Sequence, residues 1–244
     1  MKKPLQNDVE SFDLLPGRTL ARKYEVVARL GSGWEGEVYR IREKSTGIER
    51  AAKLFFPHRN VGNKAAKDYA TKLHKLRECP IVIHYHTEET VVIRRTPITV
   101  LVSEYVEGEQ LGAFLERQAG RRLHPFQALH LLHAIVTGLT DIHSKGEYHG
   151  DLHSENVIVT RCGLHFDLKI LDFMKWEARK REAMQDDICD ALRIFYDALG
   201  GSRYYSRQSP QIRKIVCGNK RSLILKRFPT ALQLRTFLET LEWE

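Results

Sequence analysis

Apolar and polar residues alternate from Tyr24 through Val26, Ala28 and Leu30, the period of a half-buried strand, and after a glycine-bearing stretch a second strand runs on to Arg42. Lys44-Ser45-Thr46-Gly47 reads as a turn, and Glu49-Arg50-Ala51-Ala52-Lys53-Leu54 as the next strand. The period then changes. Over residues 63–77, Tyr69, Leu73 and Leu76 share one face at helical spacing, and two further strands follow at Val91-Val92-Ile93 and Ile98-Thr99-Val100-Leu101-Val102. His124-Pro125 opens a long helix through Leu129, Leu132, Val136, Leu139 and Ile142, with proline in the first turn, where its missing N–H would have no helical partner. Ser144-Lys145-Gly146 ends that helix. The short apolar runs Val157-Ile158-Val159 and Leu168-Lys169-Ile170-Leu171 predict a strand pair. Helical spacing returns over residues 187–201, around Ile212, Ile215 and Val216, and from Phe228-Pro229-Thr230 through Phe237, Leu238 and Leu241.

A chain of 244 residues can bury one large core or two smaller ones sharing a cleft. The net charge of +8 suits phosphate-bearing ligands, nucleic acid or an acidic partner about equally. Nucleic acid is weakly supported, because clustered arginines interleaved with aromatic residues are missing. The four cysteines, Cys79, Cys162, Cys189 and Cys217, lie far apart with no Cys-x-x-Cys pair, so neither a zinc site nor a disulfide framework is indicated. His130, His133 and His143 lack a second cluster at metal spacing and read as packing or surface residues. No apolar run approaches the length of a membrane span, and the first residues are polar, so a cytoplasmic protein with free thiols is expected. Residues 1–23 mix charge with Pro16 and Gly17 and read as a lead-in packed on the first sheet.

Two stretches carry the chemistry. Gly31-Ser32-Gly33-Trp34-Glu35-Gly36 lies between two strands, not between a strand and a helix. That context argues against a dinucleotide-binding fold and for a hairpin that covers nucleotide phosphates. The second stretch is His149-Gly150-Asp151-Leu152-His153-Ser154-Glu155-Asn156, followed by the predicted strand pair and Asp172-Phe173. Asp151, Asn156 and Asp172 bring three oxygen-bearing side chains to one small volume, which suits a hydroxyl nucleophile and Mg²⁺-bound phosphates. Taken alone, the Asp-x-x-x-x-Asn spacing fits a β-hairpin with polar ends equally well.

In this order the motifs resemble those of the protein-kinase-like superfamily, whose patterns are a glycine loop, Val-Ala-x-Lys, His-Arg-Asp-x-x-x-x-Asn and Asp-Phe-Gly. The resemblance implies an α+β, bilobal kinase-like domain over residues 24–242. Its small antiparallel-sheet lobe would take residues 24–106 and its mainly helical lobe residues 107–244. It further implies ATP and Mg²⁺ as cofactors. Nucleotide contacts would come from Leu30, Gly31, Gly33, Gly36, Val38, Ala51 and Lys53, from the hinge backbone at Glu104 and Val106 behind a Ser103 gatekeeper, and from Gln110. Asp151 would act on the acceptor hydroxyl, His153 would face the transferred phosphate, Lys53 would hold the α- and β-phosphates, and Asn156 and Asp172 would bind the metal. Asp187 would be a buried anchor on the central helix of the second lobe.

Several positions depart from the family's pattern. Tyr69 stands where a helix Glu usually pairs with the strand lysine, with Asp68 beside it, Gly150 replaces an Arg, and Met174 replaces the Gly of Asp-Phe-Gly. No Ala-Pro-Glu occurs, and only Lys175 to about Gln185 separate Asp172-Phe173 from the helix of Asp187. The implied protein is a compact, atypical serine/threonine kinase with a shortened activation segment, acting on a hydroxyl of a protein in preference to a small molecule. His-Gly-Asp-Leu-His is closer to kinases of the aminoglycoside and choline type, which keeps a small-molecule or RNA-linked acceptor open. The missing helix Glu keeps a nucleotide-binding pseudokinase scaffold open as well.

Overall fold

The computed structural model describes residues 9–163, 165–173 and 179–242. These fall into two compact units, one taking residues up to Arg77 together with Ile83–Val106, the other taking Glu78–Val82 and the chain from Glu107 onward.

The first unit is built on a six-stranded antiparallel sheet. Its strands are β1 (Thr19–Leu20), β2 (Tyr24–Ser32), β3 (Gly36–Glu43), β4 (Glu49–Phe55), β5 (Tyr85–Ile93) and β6 (Thr96–Glu104), in the order β1-β2-β3-β4-β6-β5. Alternation on these strands sends Val26, Tyr39, Ile41, Ala52, Leu54, Ile98, Val100 and Val102 to one buried cluster. Phe12, Leu14 and Leu20 from the lead-in join that cluster, so the segment from residue 9 onward is part of the core. It also brings the donors that satisfy a buried acid. Glu37, fully buried on β3, receives the Arg29 guanidinium at 2.9 Å, the Ser11 hydroxyl at 3.0 Å, the Phe12 N–H at 3.2 Å and the hydroxyl of Tyr39. Without those donors a buried carboxylate would be strongly disfavoured. Burial, and then the bond to Glu37, push the Tyr39 phenol up to about 12.

Helix α1 (Lys64–Lys75) buries Ala66, Tyr69 and Leu73, spaced to form a single stripe. The Asn60 side chain accepts from the Ala66 N–H at 3.1 Å, satisfying one of the first-turn donors that a helix leaves unpaired.

The second unit is mainly helical. A small sheet joins β7 (Glu109–Gln110), β8 (Val157–Cys162) and β9 (His165–Ile170), and α2 (Leu111–Glu116) follows β7 directly. The long helix α3 (Pro125–Ser144) starts as its sequence suggests. His124 caps it, its ring accepting from the Phe126 N–H, while the Gln127 side chain accepts from the His124 N–H. Gly138 on this helix admits Ile81 so closely that a Cβ would sit 2.4 Å from the Ile81 side chain. Ile81 in turn accepts from the Ile170 N–H at 2.7 Å, which ties the Glu78–Val82 segment to β9.

Helix α4 spans Lys180–Ala198 and so begins seven residues before Asp187, earlier than its apolar pattern suggested. Its extra turns carry Lys, Arg, Glu, Ala, Met and Gln, all strong helix formers, with Ala183 buried. Met174 and the residues through 178 lie outside the described residues. Helices α5 (Ser202–Tyr205), α6 (Pro210–Val216), α7 (Arg221–Arg227) and α8 (Ala231–Glu239) complete the unit. Thr230 caps α8 by accepting from the Gln233 N–H, and the buried Phe228 packs against Phe237 at 5.2 Å. Among the described residues no helix is long and apolar enough to cross a membrane.

Candidate functional site

In the first unit the glycine-bearing stretch is the β2–β3 hairpin, as its context predicted. Gly31 pairs with Val38 and Ser32 with Glu37, and the turn is closed by the Gly33 N–H donating to the Gly36 carbonyl at 2.9 Å. The three glycines do not play one role. A Cβ on Gly36 would fall 1.9 Å from the Leu54 carbonyl oxygen, so glycine there is demanded by the sheet itself. Cβ atoms on Gly31 or Gly33 would meet nothing within 4 Å, which leaves the backbone open toward a ligand.

Lys53 lies on β4 opposite Val38 on one side and Leu101 on the other. Its ammonium pairs with the Glu35 carboxylate at 2.8 Å and lies 4.6 Å from the centre of the Tyr69 ring. Sequence reasoning anticipated the departure at Tyr69 but not Glu35 as a partner. The signal was present: an acid at the tip of a loop that must fold over a strand lysine.

Ala51 on β4 is in register with Ser103 on β6, and Ser103 is buried. Glu104 donates its N–H to the His84 carbonyl at 2.8 Å and accepts the His84 N–H on its carboxylate at 3.1 Å. Val106, two residues on, is half-buried. Leu30, on the approach to the hairpin, is exposed.

In the second unit the chemistry-bearing loop is held from below by one carboxylate. Asp187, fully buried on α4, accepts the His149 N–H and the Gly150 N–H, each at 2.8 Å, and lies 2.9 Å from the His143 imidazole. Gly150 adopts φ +90°, a left-handed conformation that costs little only without a side chain. His149 is also fully buried. Its Nε2 donates to the Leu171 carbonyl at 2.7 Å, its Nδ1 accepts from the Asp151 N–H at 3.2 Å, and its ring packs on Phe173 at 4.7 Å. One neutral imidazole therefore bridges the residue before Asp172 to the backbone of Asp151. The sequence placed His149 at the head of the motif without a role, because its bond to the Leu171 carbonyl joins residues 22 apart and no local pattern records it.

Asp151 presents a half-exposed carboxylate from this fixed backbone. Asn156 is nearly buried and donates its amide N–H to the Asp151 carbonyl at 2.9 Å, which turns its amide oxygen away from that contact. Asp172 has φ +52°, an uncommon conformation for a residue with a side chain and one that aims it differently from the strand it follows. His153 caps the single helical turn Ser154–Asn156. Its ring nitrogens lie 3.3 Å from the Glu155 N–H, 3.0 Å from the Asn156 amide nitrogen and 3.7 Å from the Asp151 carboxylate. A neutral imidazole accepts at one nitrogen only, so the ring serves one of the two nitrogen donors at a time.

Gln110 donates its side-chain amide to the Glu155 carbonyl at 3.0 Å, and Glu109 pairs with Arg117. Next to the loop, burial and then the Asp187 carboxylate push the Asp190 carboxyl up to about 7. Among the described residues no group of three or more His, Cys, Asp and Glu side chains is arranged to hold a metal. One amide oxygen and one carboxylate still fit Mg²⁺, which keeps several waters and takes one or two carboxylates plus substrate phosphates.

Comparison with known proteins bears on the family and the fold. The protein kinase domain family matches residues 24–198. Curated relatives include a putative cyclin-dependent kinase F-2 of Oryza sativa subsp. japonica, 29% identical over 154 residues, which cover 62% of this chain and 46% of that protein. Serine/threonine-protein kinase pkn2 of Myxococcus xanthus is 32% identical over 157 residues, covering 62% of this chain and 18% of that protein. Human death-associated protein kinase 2 is 32% identical over 156 residues, covering 62% of this chain and 40% of that protein. The matched region thus spans less than half the length of each of these relatives. A crystal structure of the Mycobacterium tuberculosis PknI kinase domain superposes with a TM-score of 0.66 at 18% identity, covering 93% of this chain and 98% of that one, a likeness of fold.

Proposed function

This chain belongs to the protein kinase domain family, and from that premise we propose that it is an ATP- and Mg²⁺-dependent phosphotransferase, acting on a serine or threonine hydroxyl of a protein. The observation that carries the reading is Asp151. Its backbone is fixed through His149 and, by way of Gly150, through the buried Asp187, while its carboxylate stays half-exposed. A group held this way can orient an acceptor hydroxyl and take its proton without reorganising during the reaction.

The other roles follow from the donor types. Asn156 and Asp172 offer oxygen ligands to Mg²⁺, which when bound supplies charge neutralisation at the phosphates. Lys53 offers its ammonium to the α- and β-phosphates, Gly31 and Gly33 offer open backbone above them, and His153 offers a hydrogen bond to the transferred phosphate. The backbone of Glu104 and Val106 would meet the adenine edge, with Leu30, Val38, Ala51 and Gln110 around the nucleoside. A protein acceptor is favoured by the names of the relatives, including the serine/threonine-protein kinase from Myxococcus xanthus. We extend the proposal to the domain limits, one kinase-like domain over residues 24–242, and to a cytoplasmic location.

The test is transfer of labelled γ-phosphate from Mg²⁺-ATP to a panel of protein and small-molecule acceptors, with wild type beside Asp151→Asn. Transfer to protein by wild type alone is expected. Transfer only to small molecules would reassign the acceptor. A nucleotide-binding scaffold is the second reading, favoured by Tyr69 beneath Lys53 where the family carries a Glu. It predicts Mg²⁺-ATP affinity with no transfer to any acceptor.

A further inference from the structure

We propose that Glu35 is a positioning carboxylate of Lys53, so that the β2–β3 hairpin takes part in setting the direction of this ammonium. The inference rests on reading Lys53 as the residue that holds nucleotide phosphates. Both ends of the pair rise from backbone that the sheet immobilises. Lys53 sits inside β4, paired on both sides. Glu35 accepts the Phe56 N–H on its carbonyl at 2.8 Å, and its neighbour Gly36 pairs with Phe55. The hairpin lies close on β4 at Gly36, where the Leu54 carbonyl leaves no room even for a Cβ. Its other tip residue, Trp34, is stacked under the Arg59 guanidinium. The carboxylate is therefore a fixed part of the sheet end and not a passenger on a flap.

The two groups are both partly exposed, the Lys53 side chain at 14% and that of Glu35 at 24%. Helix α1 contributes the Tyr69 ring at 4.6 Å. A ring face attracts a cation over a broad area, whereas a carboxylate oxygen accepts along a defined direction. Glu35 therefore supplies a directional contact and Tyr69 a diffuse one. It follows that loosening of the hairpin tip would misalign Lys53.

The test compares wild type, Glu35→Ala and Glu35→Asp, with the Lys53 ammonium observed by ¹⁵N-lysine NMR in the Mg²⁺-ATP complex. In wild type the Lys53 resonance should be protected from solvent exchange, and in Glu35→Ala that protection should be lost. The alanine variant should lose about tenfold or more in kcat, as displaced catalytic geometry does, while the Kd for Mg²⁺-ATP changes less than about threefold. Glu35→Asp should recover part of the loss. In a Lys53→Met background Glu35→Ala should change kcat by less than about twofold, since the two residues act as a unit. An unchanged Lys53 resonance in Glu35→Ala, or unchanged kcat in an active enzyme, would overturn the assignment. Tighter Mg²⁺-ATP binding with kcat intact would also overturn it, and would make Glu35 a competitor of the phosphates. A wild type that binds Mg²⁺-ATP but transfers nothing would defeat the proposed activity, and the resonance comparison alone would then decide whether Glu35 positions Lys53.

Discussion

The two units fix their key side chains by different physics. Lys53 in the first unit is aligned by another side chain, through an ion pair between groups that are both partly exposed. Asp151 in the second is aligned through its main chain, with His149 holding its N–H and Asp187 holding the two residues before it. A partly exposed ion pair adds little to stability, on the order of 0–1 kcal/mol. A buried carboxylate that satisfies two N–H groups carries more, because its loss strands those donors away from water. The first arrangement can be retuned by one substitution without harm to the fold. The second is welded into it.

The largest effect should come from Asp151→Asn, which leaves that welded backbone alone. Turnover should fall by about two to four orders of magnitude, the range of general acid–base assistance, with Mg²⁺-ATP affinity in calorimetry and the thermal midpoint both unchanged. Full activity in the variant would show that Asp151 is not the group acting on the acceptor.

Asp187→Ala attacks the weld itself. It strands the N–H groups of His149 and Gly150, and an unfolding free energy lower by about 3 kcal/mol is expected at about 1–3 kcal/mol per stranded buried group. Glu35→Ala should cost no more than about 1 kcal/mol in the same urea titration. Equal losses would erase the contrast between the two units.

Within the hairpin, Gly36→Ala should destabilise by about 2–3 kcal/mol, because the added methyl meets the Leu54 carbonyl and the paired strands cannot part. Gly33→Ala meets nothing and should change the unfolding free energy by less than about 0.5 kcal/mol. Comparable stability losses from the two would mean that the hairpin packs differently at its tip.

The last comparison is a pH dependence. The Asp190 carboxyl, raised from 3.8 to about 7, is protonated in the folded chain over a range where the unfolded chain has already released its proton. The folded state then binds the extra proton, so this group's contribution to stability falls as pH rises from about 4 to about 7. Asp190→Asn should flatten that slope, gaining on wild type at about pH 8 and matching it most closely at about pH 4. A parallel pair of stability–pH curves would assign the slope to other groups.

Sequence alone determined the features that rest on local chemistry. Alternation placed the strands around the glycine hairpin, Pro125 after His124 placed the start of α3, and Phe228-Pro229-Thr230 opened the last helix close to its observed start, because such signals act over a few residues. The ordered motifs made the family legible, and with it the antiparallel-sheet and helical regions. Elements as short as β1 and α5 left too little periodicity to read, and the extra turns of α4 carry helix propensity without an apolar stripe. The polar partnerships were decided only by tertiary structure. Glu35 and Lys53 are 18 residues apart, Ser11 and Glu37 are 26 apart, and His149 and Asp187 are 38 apart. A charge buried by folding must find its partner wherever the chain passes in space, and no local pattern records where that will be.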